Sequence, residues 1–123
     1  MEIAVAFLHA CDRGEGWDGC KTLCAHDGTT FTVQAMDALP GPPVTANKTL
    51  QEYTEWMKGV VEMMKEKATY DVHAAGFDDK ASMAIFFFTF AGTSHNVYAI
   101  RVKNKKVVSM VKIWNDVFAA QQT

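Results

Sequence analysis

Between residues 69 and 116 the chain alternates between strand-forming runs and tight turn signals, and this restricts its possible folds more than any other stretch does. Thr69 to Phe77, Lys80 to Ala91, His95 to Lys103 and Lys106 to Asp116 are rich in Val, Ile, Phe, Tyr and Thr. Asp78-Asp79, Gly92-Thr93-Ser94 and Asn104-Lys105 separate them. Connections this short join antiparallel neighbours, because a parallel crossover needs a dozen residues or more. The C-terminal portion is therefore predicted to be an antiparallel meander, whose apolar side must be covered by other elements.

The upstream residues supply that cover. Thr49-Leu50-Gln51-Glu52 is a capping box, and the helix it opens carries Leu50, Tyr53, Met57, Val60, Val61 and Met64 on one stripe. Glu52, Glu55, Lys58, Glu62 and Lys65 form its wet side. Glu2 to Cys11 reads as a first helix with a broad apolar stripe, ended by Gly14 and Gly16. Trp17 to Ala25 reads as a short second helix, His26-Asp27-Gly28 as a turn and Thr29 to Gln34 as a strand. Residues 36–47 contain Pro40, Gly41, Pro42 and Pro43 and are expected to form a loop over an opening. With helices first and the main sheet last, the class is α+β, a curled sheet wrapping a long helix in a single domain of 123 residues without internal repeats.

Composition narrows the possible functions. Twelve basic and 14 acidic residues give a net charge of −2, and the basic run Lys103 to Lys106 coincides with a turn, so nucleic acid is not expected as a partner. No apolar run approaches the roughly 18–20 residues a bilayer crossing requires, and no basic-then-apolar leader opens the sequence; a soluble, cytoplasmic protein without a membrane partner is expected. Cys11, Cys20 and Cys24 are odd in number and suit a reducing compartment. With His26 they space as C-x8-C-x3-C-x-H, which matches no usual zinc knuckle, and they read as small buried hydrophobes.

Two strands carry the functional information. "SMAIFFFTF", residues 82–90, is apolar on both faces, with Ala84, Phe86, Phe88 and Phe90 on one and Met83, Ile85, Phe87 and Thr89 on the other. The helices of one domain cover only one side, so a homodimer through the outer sheet face is expected. In the last strand, alternation places Val108, Met110, Lys112, Trp114 and Asp116 together, opposite Val107, Ser109, Val111, Ile113 and Asn115. A lysine on that face either snorkels to a rim or stands inside a cavity with an acidic partner. His73 and His95 also fall on strands and are suited to proton transfer, while Gln34, Asp37 and Tyr53 lie near the proline-bearing loop.

The order of these elements, the "YTEWM" of the long helix and the closing "KKVVSMVKIWND" resemble the nuclear transport factor two-like superfamily, and within it SnoaL-like proteins of unknown function. The resemblance spans essentially the whole chain. It implies a cone-shaped α+β barrel with a deep pocket open at one end, and dimerisation through the sheet. Activities in such proteins include ketosteroid isomerase, scytalone dehydratase, limonene epoxide hydrolase and polyketide cyclase, while other members only bind. The isomerases' general base would fall where this chain reads Val33-Gln34-Ala35-Met36, so it is missing unless Asp37 turns inward. The epoxide hydrolases' arginine and aspartate would fall within Phe86-Phe87-Phe88, and their second aspartate near Lys112; all three are absent or changed.

The implied pocket is strongly apolar, lined by Trp56, Phe86, Phe88, Met110 and Trp114, with Gln34, Tyr53, His95, Lys112 and Asp116 as its polar groups. It suits a small lipophilic or aromatic molecule. One reading is an isomerase, cyclase or dehydratase without cofactor, in which His95 or Asp116 transfers a proton on a carbonyl-bearing ring compound and Lys112 stabilises developing negative charge. The other is a non-catalytic ligand-binding or dimerising module. A thiol or metal site at Cys11, Cys20 and Cys24 is a third.

Overall fold

The computed structural model describes the backbone of residues 1–34 and 44–116 and the side chains of residues 1–33 and 47–115. Helices α1 (Glu2–Asp12) and α2 (Gly16–Cys20), with a 3-10 turn at Lys21–Leu23, lead into strands β1 (Cys24–Gln34) and β2 (Val44–Thr49). Helix α3 (Leu50–Met64) follows, then β3 (Tyr70–Asp78), β4 (Met83–Phe90), β5 (Ser94–Lys103) and β6 (Lys106–Asp116). These form one six-stranded sheet in the order β2-β1-β6-β5-β4-β3. Strands β3 to β6 are the expected meander, and β1 joins it by pairing parallel to β6, so the sheet is mixed. None of the described helices is long and apolar enough to cross a membrane.

Capping chemistry sets the start of α3. Thr49 Oγ1 accepts from the Glu52 amide at 3.0 Å, and the Glu52 carboxylate accepts from the Thr49 amide at 3.0 Å. The same Thr49 ends β2, so strand passes into helix without a loop. Residues 44–47, expected to be loop, are therefore strand; the proline-bearing segment before them lies outside the described residues.

The expected second helix is shorter than its apolar pattern, because the chain turns extended at Cys24 and the predicted turn at His26-Asp27-Gly28 is absorbed into β1. Pairing with β6 runs from Cys24 opposite Val107 to Thr29 opposite Ser109, and the residues between form a bulge. Gly28 in this bulge lies so close to α3 that a Cβ there would sit 2.2 Å from Leu50 Cδ1.

Helices α1 and α3 cover the inner sheet face. Phe7, Leu8, Leu50, Tyr53, Phe86, Phe88, Tyr98, Ile100 and Met110 are buried there in one cluster. Strand β4 alternates as expected, with Ala84, Phe86, Phe88 and Phe90 buried and Ile85 and Phe87 exposed. In β6 the inner face holds Met110 and Lys112, but Val107 is also fully buried, against the simple alternation. A register shift between Arg101 and Val102 of β5 reverses the parity at that end.

Candidate functional site

Aspartate at position 12 is the side chain around which the site is built. It ends α1, one turn beyond Leu8 and two beyond Ala4, and therefore continues the helix's buried stripe. Asp12 is 1% exposed, and a carboxylate at a helix C-terminus also opposes the helix dipole. Tyr98 donates to its Oδ1 at 3.0 Å, while Oδ2 is buried without a partner among the described residues. Burial is the largest influence on this carboxyl; it outweighs the positive charge of Lys112 and the hydrogen bond from Tyr98, and lifts the pKa from 3.8 to about 6.

The chain turns sharply just after Asp12. The Gly14 amide donates to the Cys11 carbonyl and the Glu15 amide to the Ala10 carbonyl, both at 3.1 Å, with Gly14 at φ +78. This is a Schellman closure, and it leaves Asp12 as the last helical residue, facing the sheet.

Two tyrosines extend from the carboxylate. Tyr53 of α3 and Tyr98 of β5 have hydroxyls 2.5 Å apart. Each phenol has one hydrogen; because that of Tyr98 goes to Asp12, Tyr53 donates to Tyr98. Burial pushes both phenols well above their usual range, so both remain donors.

Lys112 enters from β6, directly opposite Tyr98 in the β5–β6 register, and is 5% exposed. Its Nζ lies 5.0 Å from the ring centre of Trp56, 5.2 Å from Trp114, 5.3 Å from Tyr53 and 6.0 Å from Tyr98. Four rings thus surround one amine, at distances where cation–π attraction operates. Among the described residues Lys112 forms no ion pair. Burial lowers its pKa from 10.5 to about 8, against the opposing pull of Asp12 and Cys11.

Asp12 and Lys112 both line a cavity of about 260 Å³, whose walls include Trp56, Met57, Val60, Phe90, Asn96 and Trp114. Of the residues expected from the sequence, Trp56, Lys112 and Trp114 line the cavity, while Tyr53 does not line it and its ring centre lies 5.3 Å from Lys112 Nζ. Phe86, Phe88 and Met110 are core residues and do not line it; Phe90, further along β4, does.

His95 is corrected in position. On β5 the inner residues are Ser94, Asn96, Tyr98 and Ile100, so His95 lies on the exposed outer face, its Nδ1 3.3 Å from Thr89 Oγ1. His73 Nε2 approaches the same hydroxyl at 2.7 Å, also outside the cavity. The backbone of Gln34 pairs with Trp114 and that of Asp116 with Ser94, but their side chains, like all of Asp37, fall outside the described residues. Cys11, Cys20 and Cys24 are free and buried, with Cys20 and Cys24 pushed up to about 12 by burial. No described group of three or more His, Cys, Asp or Glu is arranged to hold a metal.

The sequence matches no protein-family model and no curated protein. Solved structures do match its fold. An NTF2-like (nuclear transport factor two-like) protein of unknown function from Cytophaga hutchinsonii superposes with a TM-score of 0.59 at 14% identity, over 91% of this chain and 86% of that one. A hypothetical protein with a ketosteroid isomerase-like fold from Catenulispora acidiphila, in complex with trimethylamine, gives 0.59 at 19% identity over 98% and 92%. A protein of unknown function with a cystatin-like fold from Methylobium petroleophilum gives 0.68 at 8% identity over 92% and 73%. The chain has the nuclear transport factor two-like fold expected from its element order.

Proposed function

We propose that the protein is a cofactor-independent proton-transfer enzyme of the isomerase, cyclase or dehydratase type, acting on a small lipophilic or aromatic carbonyl compound. The observation that carries this reading is Oδ2 of Asp12, without a partner among the described residues, in the wall of an apolar cavity. A buried carboxyl with a pKa of about 6 is matched to taking and returning a proton near neutral pH. Asp12 takes the proton-transfer role that the sequence suggests for His95 or Asp116. Tyr98, backed by Tyr53, orients the carboxyl, and Lys112 supplies positive charge where an enolate oxygen would develop. Trp56 and Trp114 provide flat apolar walls for a ring, within a sheet that curls into the cone implied by the sequence resemblance.

The Catenulispora acidiphila neighbour is in complex with trimethylamine. Here the aromatic box already holds the Lys112 ammonium, which favours a carbonyl ligand over a second cation. The test is exchange of the α-hydrogens of 2-tetralone in deuterated buffer, followed by NMR. Catalysed exchange that falls by about 10²- to 10⁴-fold in Asp12→Asn supports the reading. Quenching of tryptophan fluorescence by the ketone without any exchange would instead favour a non-catalytic binding module.

The same reading includes a homodimer in the cytoplasm. Phe31, Val111, Ala99 and Ile85 form one cross-strand row on the outer face, and Val33, Ile113, Val97 and Phe87 form the next. Phe31, Ile85, Phe87, Val111 and Ile113 are 36–46% exposed. An apolar patch that is continuous across four strands suits a second copy of the sheet. Three free buried thiols suit a reducing compartment.

A further inference from the structure

We infer that Lys112 is a covalent nucleophile: its amine condenses with the carbonyl carbon of a ligand in the cavity to form an imine. This rests on the reading that the cavity receives carbonyl compounds and adds a bond-forming role to the charge already assigned to the amine.

Three geometric facts place the reaction. The amine stands at the cavity wall, with rings of Trp56, Trp114 and Tyr53 around it, so a ligand meets Nζ within an apolar enclosure. Among the described residues no carboxylate lies within ion-pair distance of it, which leaves its lone pair available on deprotonation. Asp12 lines the same cavity with one carboxyl oxygen uncommitted, in position to exchange protons with the ligand's oxygen. The amine also titrates at about 8, low enough to supply a substantial neutral fraction at mildly alkaline pH, as desolvated nucleophilic lysines require.

The step balances within these groups. The neutral Nζ attacks the carbonyl carbon, and the C=O π pair moves onto oxygen. Asp12, a carboxylate at the pH that frees the amine, takes a proton from the nitrogen and passes it to that oxygen, giving a neutral carbinolamine. A proton taken up by Asp12 from solvent then lets the oxygen leave as water while the nitrogen lone pair forms C=N. The resulting iminium withdraws electrons from the adjacent carbon, whose proton Asp12 then removes and returns to solvent. One amine hydrogen leaves in the water and the other stays on nitrogen, the solvent proton is balanced by the one from the adjacent carbon, and no oxidant or reductant is needed.

The probe is 1-phenyl-1,3-butanedione, which yields a conjugated enaminone with a lysine amine, visible in the near ultraviolet and localisable by peptide mass mapping. Expected is one adduct per chain, of diketone mass less one water, on the peptide containing Lys112, forming faster as pH rises through about 8. Lys112→Arg, which keeps the charge, and Lys112→Met, which keeps the packing, should both lose it. If Lys112 labels no faster than the exposed lysines while tryptophan quenching shows the diketone bound, the inference is overturned and the acid–base reading stands or falls on ketone exchange alone. Labelling of Lys112 without any Asp12-dependent exchange supports the imine and removes the acid–base reading. Neither binding nor labelling overturns both.

Discussion

Tyr98 holds Asp12 by a single carboxylate oxygen, donating to Oδ1 at 3.0 Å, and Oδ2 has no partner among the described residues. A carboxylate buried for stability alone would have both oxygens satisfied, since each unmet acceptor costs free energy in a medium that cannot replace water. The half-satisfied geometry, together with a nearby amine that forms no ion pair among the described residues, marks a site where stability has been given up.

Asp12→Asn should stabilise the protein at neutral pH and not at acid pH. The folded-state pKa is raised from 3.8 to about 6, so this carboxyl's contribution is most favourable below 3.8 and is lost as pH rises through 6. The loss amounts to about 3 kcal/mol at most. Urea unfolding at a series of pH values between 4 and 8 should show the variant gaining on the wild type across that window; parallel curves would contradict the raised pKa.

Lys112→Met has the opposite pH signature. The folded-state pKa is depressed from 10.5 to about 8, so the lysine's contribution is fully present only above 10.5 and is lost as pH falls through 8. Methionine retains contact with the rings and removes the buried charge. A gain of up to about 3 kcal/mol at pH 7, shrinking toward pH 10, is expected from the same denaturant series. Because the Asp12 and Lys112 charges attract, each single variant forfeits that attraction, and the double variant should gain more than the sum of the two.

The two tyrosines should differ in importance. Tyr98→Phe leaves both Oδ1 of Asp12 and the Tyr53 hydroxyl without partners, whereas Tyr53→Phe removes only a donor to Tyr98. The first should cost about 1–3 kcal/mol and the second about 1 kcal/mol. Loss of the Tyr98 bond also removes an influence that lowers the Asp12 pKa, so the acid limb of any exchange activity should move above pH 6 in Tyr98→Phe. An unshifted limb would mean that Tyr98 does not tune the carboxyl.

Legibility in the sequence follows the range of each interaction. The meander, the Thr49 capping box and the burial of Phe86 and Phe88 depend on neighbours a few residues apart, and turn chemistry and alternation showed them. The parallel pairing of β1 with β6 joins distant segments, and nothing local signals it. The outward position of His95 is not legible because β5 carries apolar residues on both sides, Tyr98 and Ile100 within, Val97 and Ala99 without, so alternation alone does not orient it. Asp12 had a signal: it falls at i+4 from Leu8 and i+8 from Ala4, so an acid lay on the buried stripe. The following glycines mask that signal, because they mark a helix end, where an acidic residue is expected to be solvated.

Charge on the outer sheet face should separate the proposed dimer without unfolding either copy. Phe87 and Ile113 lie in one cross-strand row, joined through Val97. Phe87→Glu with Ile113→Glu leaves the inner core untouched. Sedimentation should show the wild type at twice the chain mass and the variant at the chain mass, with unchanged far-ultraviolet circular dichroism. A monomeric wild type at micromolar concentration would end the proposal.

Gly14→Ala tests whether the turn after α1 positions the site. Gly14 adopts φ +78, where a side chain is strained, and a Cβ would lie 2.7 Å from Val61 Cβ on α3. The strain costs about 1 kcal/mol or more, and the clash adds to it because Val61 is branched at the contacting atom and cannot swing away. The closure that the turn makes, Gly14 to Cys11 and Glu15 to Ala10, brackets Asp12, so relief of the clash should push the end of α1 away from α3 and lengthen the Tyr98 bond. The expected result is a loss of about 2 kcal/mol or more in unfolding free energy, with a larger fall in α-hydrogen exchange than in ketone binding. Equal losses in exchange and binding would indicate general loosening, and unchanged exchange would show that Asp12 is held by Tyr98 alone.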